Sequence, residues 1–320
     1  MRNTRLLMET LDIQYPILQG GMAWVATGKL AAAVSEAGGL GMIGAGNAPP
    51  DVIEEEIHKI RRATQRNFGV NLMLLSPFVE QMVDLVVQEQ VPVVTTGAGN
   101  PAKYMDKLKQ AGIKVIPVIP SVALAKRMEK QNVDALIVEG TEAGGHIGEQ
   151  TTMALLPQIV DAVSVPVVAA GGIADGRGLT AALALGAAGI QMGTRFVLCQ
   201  ECTAHKNYKN AIRKAKDRDT VVTARSTGRP VRSIKNKLTK EFLRQEEAKA
   251  TLEELEELGA GALSRAVNQG DIDQGSVMAG QISGLIHEEK TAEAIIQEIV
   301  VEAREVMNTL DPGLLERQGD

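Results

Sequence analysis

Short runs of apolar and β-branched residues recur at near-constant spacing, and most are followed by a segment whose apolar positions fall at helical period. Eight such runs are Pro16–Gln19, Leu40–Ile43, Phe68–Asn71, Val93–Thr96, Lys114–Val118, Ala135–Glu139, Pro166–Ala170 and Gly189–Met192. Alternation of this kind is the pattern of βα units, because parallel neighbours need a crossover that is usually a helix. The intervening helices are expected over Gly28–Ala37, Pro50–Arg62, Pro77–Glu89, Pro101–Ala111, Ser121–Lys130 and Thr151–Ala162. Proline recurs near their first turns, where a missing N–H costs nothing. Each strand run ends in small or polar residues, such as Gln19-Gly20-Gly21, Gly44-Ala45-Gly46 and Gly97-Ala98-Gly99. Eight units predict a closed α/β barrel, the (β/α)8 or TIM fold, over an open sheet.

The eighth run has no closing helix directly behind it; the next long apolar-periodic segment is Thr291–Leu310. The expected organisation is therefore a barrel made of 1–197 and 286–320, with 198–285 inserted after strand eight as a cap. From that position a cap overhangs the C-terminal mouth, where such barrels place their active sites.

Composition narrows the class. With 320 residues, 44% of them hydrophobic, the chain can fill one such barrel and an insertion. Eight aromatics stand against 32 glycines, so the core rests on aliphatic residues and methionine. No apolar stretch reaches the roughly 18 residues of a membrane span, and the first residues lack the apolar run of a signal peptide; a cytoplasmic protein is expected. The net charge of −5 hides an asymmetry, since Thr203–Lys240 carries twelve Lys or Arg against two Asp. With almost no aromatics to stack bases there, nucleic acid is not the expected partner. A solvated surface is the plain reading of that stretch; on a cap it could also greet an acidic partner or a phosphate. Cys199 and Cys202 form a C-x-x-C, but further zinc ligands at set spacing are lacking, and two reduced thiols near a strand end are expected.

Two motifs carry chemistry. Gly171-Gly172-Ile173 and Met192-Gly193-Thr194 follow the seventh and eighth runs, with a helix expected from about Asp175 to Leu185 behind the first. Glycine-rich backbone at a helix N-terminus can bring N–H groups close to an anion, so the pair is read as a phosphate cradle. Glycine-rich turns without a ligand are the plainer alternative. The second motif is Glu139 to Gly148, with His146 in a glycine-rich loop. Imidazole there suits proton transfer or hydrogen-bond donation to a carbonyl, against the simpler role of a structural histidine. His58, His205 and His287 lie among charged or polar residues and are expected to be solvated.

These residues resemble the flavin barrel superfamily of nitronate monooxygenase (2-nitropropane dioxygenase) and the FabK type of enoyl-acyl carrier protein reductase. The resemblance runs through Tyr15-Pro16-Ile17-Leu18-Gln19-Gly20-Gly21-Met22-Ala23, Gly69-Val70-Asn71, Gly144-Gly145-His146, Gly171-Gly172-Ile173 and Met192-Gly193-Thr194-Arg195-Phe196. It implies flavin mononucleotide (FMN) as cofactor: backbone at Met22 and Ala23 and the side chains of Asn71 and Glu139 beside the ring and ribityl chain, Gly145 and Gln191 on neighbouring loops, and Gly171, Gly172, Gly193 and Thr194 on the phosphate. The histidine loop and Gly275–Leu285 look like the reductase's version, and Ile147 stands where bacterial monooxygenases often carry Arg. The implied activity is reduction of trans-2-enoyl thioesters with NADH or NADPH in fatty acid biosynthesis, with His146 catalytic. Acidic acyl carrier protein is then the partner, and Arg229 and Arg232 on the cap are expected to meet substrate or nucleotide. A homodimer is expected, and members of the family sometimes respond to a monovalent cation, for which no acidic cluster marks a place. The rival readings are nitronate oxidation on the same fold and, more distantly, a non-redox phosphate-binding barrel.

Overall fold

A computed structural model describes residues 2–310, so the last part of the expected 286–320 segment lies outside the described residues. The strands are β1 (Ile17–Gln19), β2 (Gly41–Gly44), β3 (Phe68–Met73), β4 (Val93–Gly97), β5 (Lys114–Ile119), β6 (Leu136–Glu139), β7 (Gly145–His146), β8 (Val167–Ala170), β9 (Gly189–Met192), β10 (Thr220–Thr223) and β11 (Val231–Ile234). Eight of them form one parallel sheet in the order β1-β9-β8-β6-β5-β4-β3-β2. The sheet closes on itself between its first and last strands: Gln19 N–H donates to the Leu40 carbonyl and Leu40 N–H to the Ile17 carbonyl, both at 3.0 Å. All eight expected runs are barrel strands.

The surrounding helices are α1 (Arg2–Leu11), α2 (Gly28–Glu36), α3 (Pro50–Ala63), α4 (Val79–Gln88), α5 (Ala102–Gln110), α6 (Val122–Glu129), α7 (Thr152–Val160), α8 (Gly176–Ala184) and the short α9 (Thr194–Val197). After the cap helices α10 (Lys206–Lys214), α11 (Lys237–Glu247), α12 (Leu252–Gly259) and α13 (Ala262–Ser264), the chain ends its described part in α14 (Ala292–Thr309). Local chemistry sets several starts. Ser121, Asp175 and Thr291 each accept a backbone N–H with the side chain, at Leu124, Gly178 and Ala294, which satisfies a donor that has no partner inside the helix.

Two apolar clusters hold the barrel. One lies between the strands and the outer helices. The other fills the barrel's interior, where Leu18, Leu40, Met42, Val93, Ile116 and Val168 meet Leu7 and Leu11 of α1. The periodic pattern did not assign α1, a helix with only two fully inward positions, Leu7 and Leu11, four residues apart.

The cap leaves and re-enters the barrel at one place. Gln200 N–H donates to the Lys290 carbonyl at 2.9 Å, and Lys290 N–H to Leu198 at 3.2 Å. Inside the cap a second sheet has the order β10-β11-β7. Its third strand is the histidine segment, within the stretch that the sequence reads as a glycine-rich loop. Two residues are too short for any periodic signal, and their partner lies 85 positions away at Val231↔His146.

Candidate active site

The loops at the C-terminal ends of β1, β3, β6, β8 and β9 converge on the mouth. A β carbon on Gly20 would lie 3.4 Å from the Gln191 side chain, one on Gly193 would lie 3.3 Å from the Met22 sulfur, and one on Gly21 would lie 2.2 Å from Cβ of Asn71. The β1 loop bearing Met22 and Ala23 is thus in contact with Asn71 at the end of β3 and with Gln191 and Gly193 at the end of β9. Thr152 Oγ1 donates to the Gly171 carbonyl at 2.9 Å while its N–H donates to Glu142 at 2.9 Å, which ties the β8 loop to the histidine loop.

Gly171 and Gly172 have φ of +88° and +75°, a left-handed pair that glycine adopts without the Cβ penalty. The amides of Gly171, Gly172 and Gly193 donate to no acceptor among the described residues. Successive unspent N–H groups at loops ahead of α8 and α9 are an arrangement that can take an anion. The hydroxyl of Thr194 accepts the Gly280 N–H from the returning cap at 2.9 Å and keeps its own proton to donate.

Deeper in the mouth are two polar groups without partners. Asn71 Oδ1 is buried and accepts no hydrogen bond. Glu139, half-exposed by area but surrounded by protein, has its carboxyl pushed up to about 8 by burial alone, so it is mostly protonated and a potential donor at neutral pH. Each such group, an orphaned buried acceptor and a buried neutral carboxyl, is costly unless a ligand with complementary groups meets it.

His146 stands at the rim on β7, paired with Val231, and the following Ile147 N–H donates to the Pro230 carbonyl at 3.1 Å. The imidazole is exposed, yet the protein around it holds its pKa below the ordinary 6.5, by desolvation first and the Arg229 charge second. It is therefore neutral at pH 7, with one N–H to donate. Gly145 beside it has φ of +79°.

The two cap arginines differ. Arg229 is exposed and pairs with Glu256 at 3.5 Å. Arg232 is 7% exposed, with Nε donating to the Thr141 carbonyl and Nη1 to Thr220 Oγ1, both at 3.1 Å. The sequence missed the returning segment as part of this site. A β carbon on Gly144 would lie 2.6 Å from the Ala279 carbonyl carbon, and Gln281 N–H donates to the Glu142 carbonyl at 2.9 Å. Nothing local announces a contact across more than a hundred residues.

Other candidates lie apart from the mouth. Cys199 and Cys202 are free and buried, and burial raises both thiols. Glu54, His58 and Glu89 bring ligand atoms within 4.8 Å of one another on the outer face of α3 and α4. No helix among the described residues is long and apolar enough to cross a membrane.

Fold and site together define a (β/α)8 barrel with unspent glycine amides just past its last two barrel strands and a neutral imidazole at its mouth. The nitronate monooxygenase family model matches residues 4–82 and 76–302. A probable nitronate monooxygenase of Staphylococcus saprophyticus is 35% identical, covering 93% of this chain and 97% of its own; one from Staphylococcus aureus is 35% identical over 96% and 99%. Among solved structures, FabK from Thermotoga maritima superposes with a TM-score of 0.92 at 48% identity, covering 94% of this chain and 96% of its own. Nitroalkane oxidase from Streptomyces ansochromogenes gives 0.84 at 29% identity, over 96% and 100%. The chain belongs to the nitronate monooxygenase family, and it is an oxidoreductase of that family with a FabK-type relative.

Proposed function

We propose that this chain is an FMN-dependent enoyl-[acyl carrier protein] reductase that uses NADH or NADPH. The observation that carries the reading is its likeness to FabK: 48% identity over nearly the whole length, cap included, against 29% for the nitroalkane oxidase and 35% for the probable monooxygenases. The mouth also fits the cofactor. Unspent amides at Gly171, Gly172 and Gly193 suit its phosphate, while Asn71 Oδ1 and the protonated Glu139 offer an acceptor and a donor to its polar ring and ribityl groups.

When bound, FMN would supply the hydride-transfer chemistry between a nicotinamide and the β carbon of an enoyl thioester. Backbone at Met22 and Ala23 would flank the ring, and Gln191 would line the floor beside them. His146 donates its N–H to the thioester oxygen as that oxygen gains enolate charge; one preorganised donor of this kind is worth about 3 kcal/mol, roughly a hundredfold in rate. Neutrality suits the task, because an imidazole that keeps its proton can donate without being consumed. The basic stretch Lys206–Lys240, with exposed Arg229, would steer an acidic carrier protein toward the mouth.

A second reading keeps fold and flavin and makes His146 a base that removes the α proton of a nitroalkane; the names of the staphylococcal relatives favour it. The two separate in one assay. NADH consumption by the yellow holoprotein that depends on a crotonyl thioester supports the reductase, while oxygen consumption that depends on a nitroalkane, without a thioester response, overturns it. A colourless protein that binds no flavin would leave only the phosphate-binding barrel.

A further inference from the structure

The histidine is carried by the cap more than by the barrel. Its loop leaves β6 at Gly140, whose N–H donates to the Ala170 carbonyl at 3.0 Å, and its Glu142 carboxylate accepts from Thr152 of α7; most of its remaining fixed points are cap residues. At the start of the loop the Thr141 carbonyl accepts from Arg232 Nε. At its end Gly145 pairs with Arg232 in register, and Ile147 N–H meets Pro230. One cap residue therefore holds both ends of the segment that presents His146.

Arg232 is an expensive residue for that place. Its guanidinium is buried, burial lowers its pKa first and Arg225 second against an opposing pull from Glu142, and its two bonded partners are a carbonyl and a hydroxyl. A buried cation on neutral partners is retained against a desolvation penalty that an apolar side chain would avoid. What the guanidinium has that an apolar residue lacks is a planar fork, able to fix two acceptors at once in set directions. Here the fork joins the histidine loop at Thr141 to β10 at Thr220 across β11.

We propose that Arg232 is a positioning residue for His146, clamping the loop's origin to the cap strand that carries its end, so that the reach of the imidazole over the mouth is set by the cap. Only the kinetic part of the test rests on the reductase reading. The charged groups around the loop are Arg229 and Arg225 on the cap and Glu142 on the loop itself.

The test uses FMN-loaded holoprotein carrying Arg232→Met, Arg232→Lys or Thr220→Val, the last removing one acceptor without touching the arginine. Histidine-selective nitrogen NMR follows the His146 titration, identified by its absence in His146→Asn. Loosening the clamp admits water to the loop, so in Arg232→Met the His146 titration should move up toward the ordinary value. The enoyl step should slow by about a hundredfold, as a misplacement of roughly 1 Å can cause, with KM and flavin content held. Arg232→Lys should recover part of the loss, and Thr220→Val should fall between. Unchanged titration and enoyl rate in Arg232→Met, a rise confined to the KM for nucleotide or carrier protein, or loss of flavin would each overturn the proposal. Should Arg232→Met fail to fold, Arg232→Lys and Thr220→Val decide by the same two readouts. Should no form turn over an enoyl thioester, the reductase reading fails separately and the NMR titration alone decides.

Discussion

The glycine loops past β8 and β9 and the histidine arm are neighbours at the mouth, linked through Glu142 and Thr152, but they are held by different means. The cradle is backbone: Gly171, Gly172 and Gly193 sit one to a few residues past β8 and β9, whose strands are locked into a closed sheet. The histidine arm is a two-residue strand, β7, whose one ladder partner among the described residues is β11 of an insertion joined to the barrel by adjacent exit and re-entry segments. A rigid scaffold thus supplies the place where a cofactor would stay, and a separable element supplies the group that would act on what comes and goes. Positions on strand ends inherit the barrel's order, whereas an arm on a small sheet can move with its insertion.

The contrast can be broken most severely on the barrel side. Gly172→Val forces a β-branched residue to φ of +75° and sets a side chain where the anion would approach, so bound flavin should be lost and both half-reactions with it. Flavin absorbance after gel filtration reads this directly, and full retention would remove the phosphate assignment.

Glu139→Gln sharpens the same side through stability. The Glu139 carboxyl titrates near 4.5 when unfolded and about 8 when folded, so in flavin-free protein the unfolded state loses its proton first as pH rises. Wild-type stability should therefore decline between these two values, and the variant should show a flatter profile of melting temperature against pH. Parallel profiles would place the carboxyl in a more solvated setting than the barrel mouth suggests.

Arg229→Gln, the smallest effect, belongs to the cap. Removing this charge takes away the lesser of the two influences that hold His146 below 6.5. In histidine-selective nitrogen NMR the His146 titration should move toward that value without reaching it, because desolvation remains. Flavin content should not change, and a titration that stays in place would show that Arg229 does not act on the imidazole.

How much of this was legible beforehand follows the same division. Barrel strands, their order of succession and the glycine loops could be read because each depends on local runs and on residues next to them in the chain. Asn71 and Glu139 could be read as site residues only through family resemblance, since their partnerless burial is a tertiary property. The cap's grip on His146 was not legible at all: Arg232 and Thr141 are 91 positions apart, and the closeness of Gly144 to Ala279 depends on how the insertion folds back. In the sequence Arg232 is one more cation in a basic stretch. In the structure it is buried, as Lys209 of the same stretch also is, and its guanidinium reaches the histidine loop.

The division of labour between barrel and cap is tested most directly by stopped-flow measurement of the two half-reactions in His146→Ala. Reduction of bound flavin by NADH should proceed at close to the wild-type rate, because it needs the barrel's orientation and not this donor, while reoxidation by a crotonyl thioester should slow by about a hundredfold. Equal slowing of both steps, or no slowing of the second, would contradict the account.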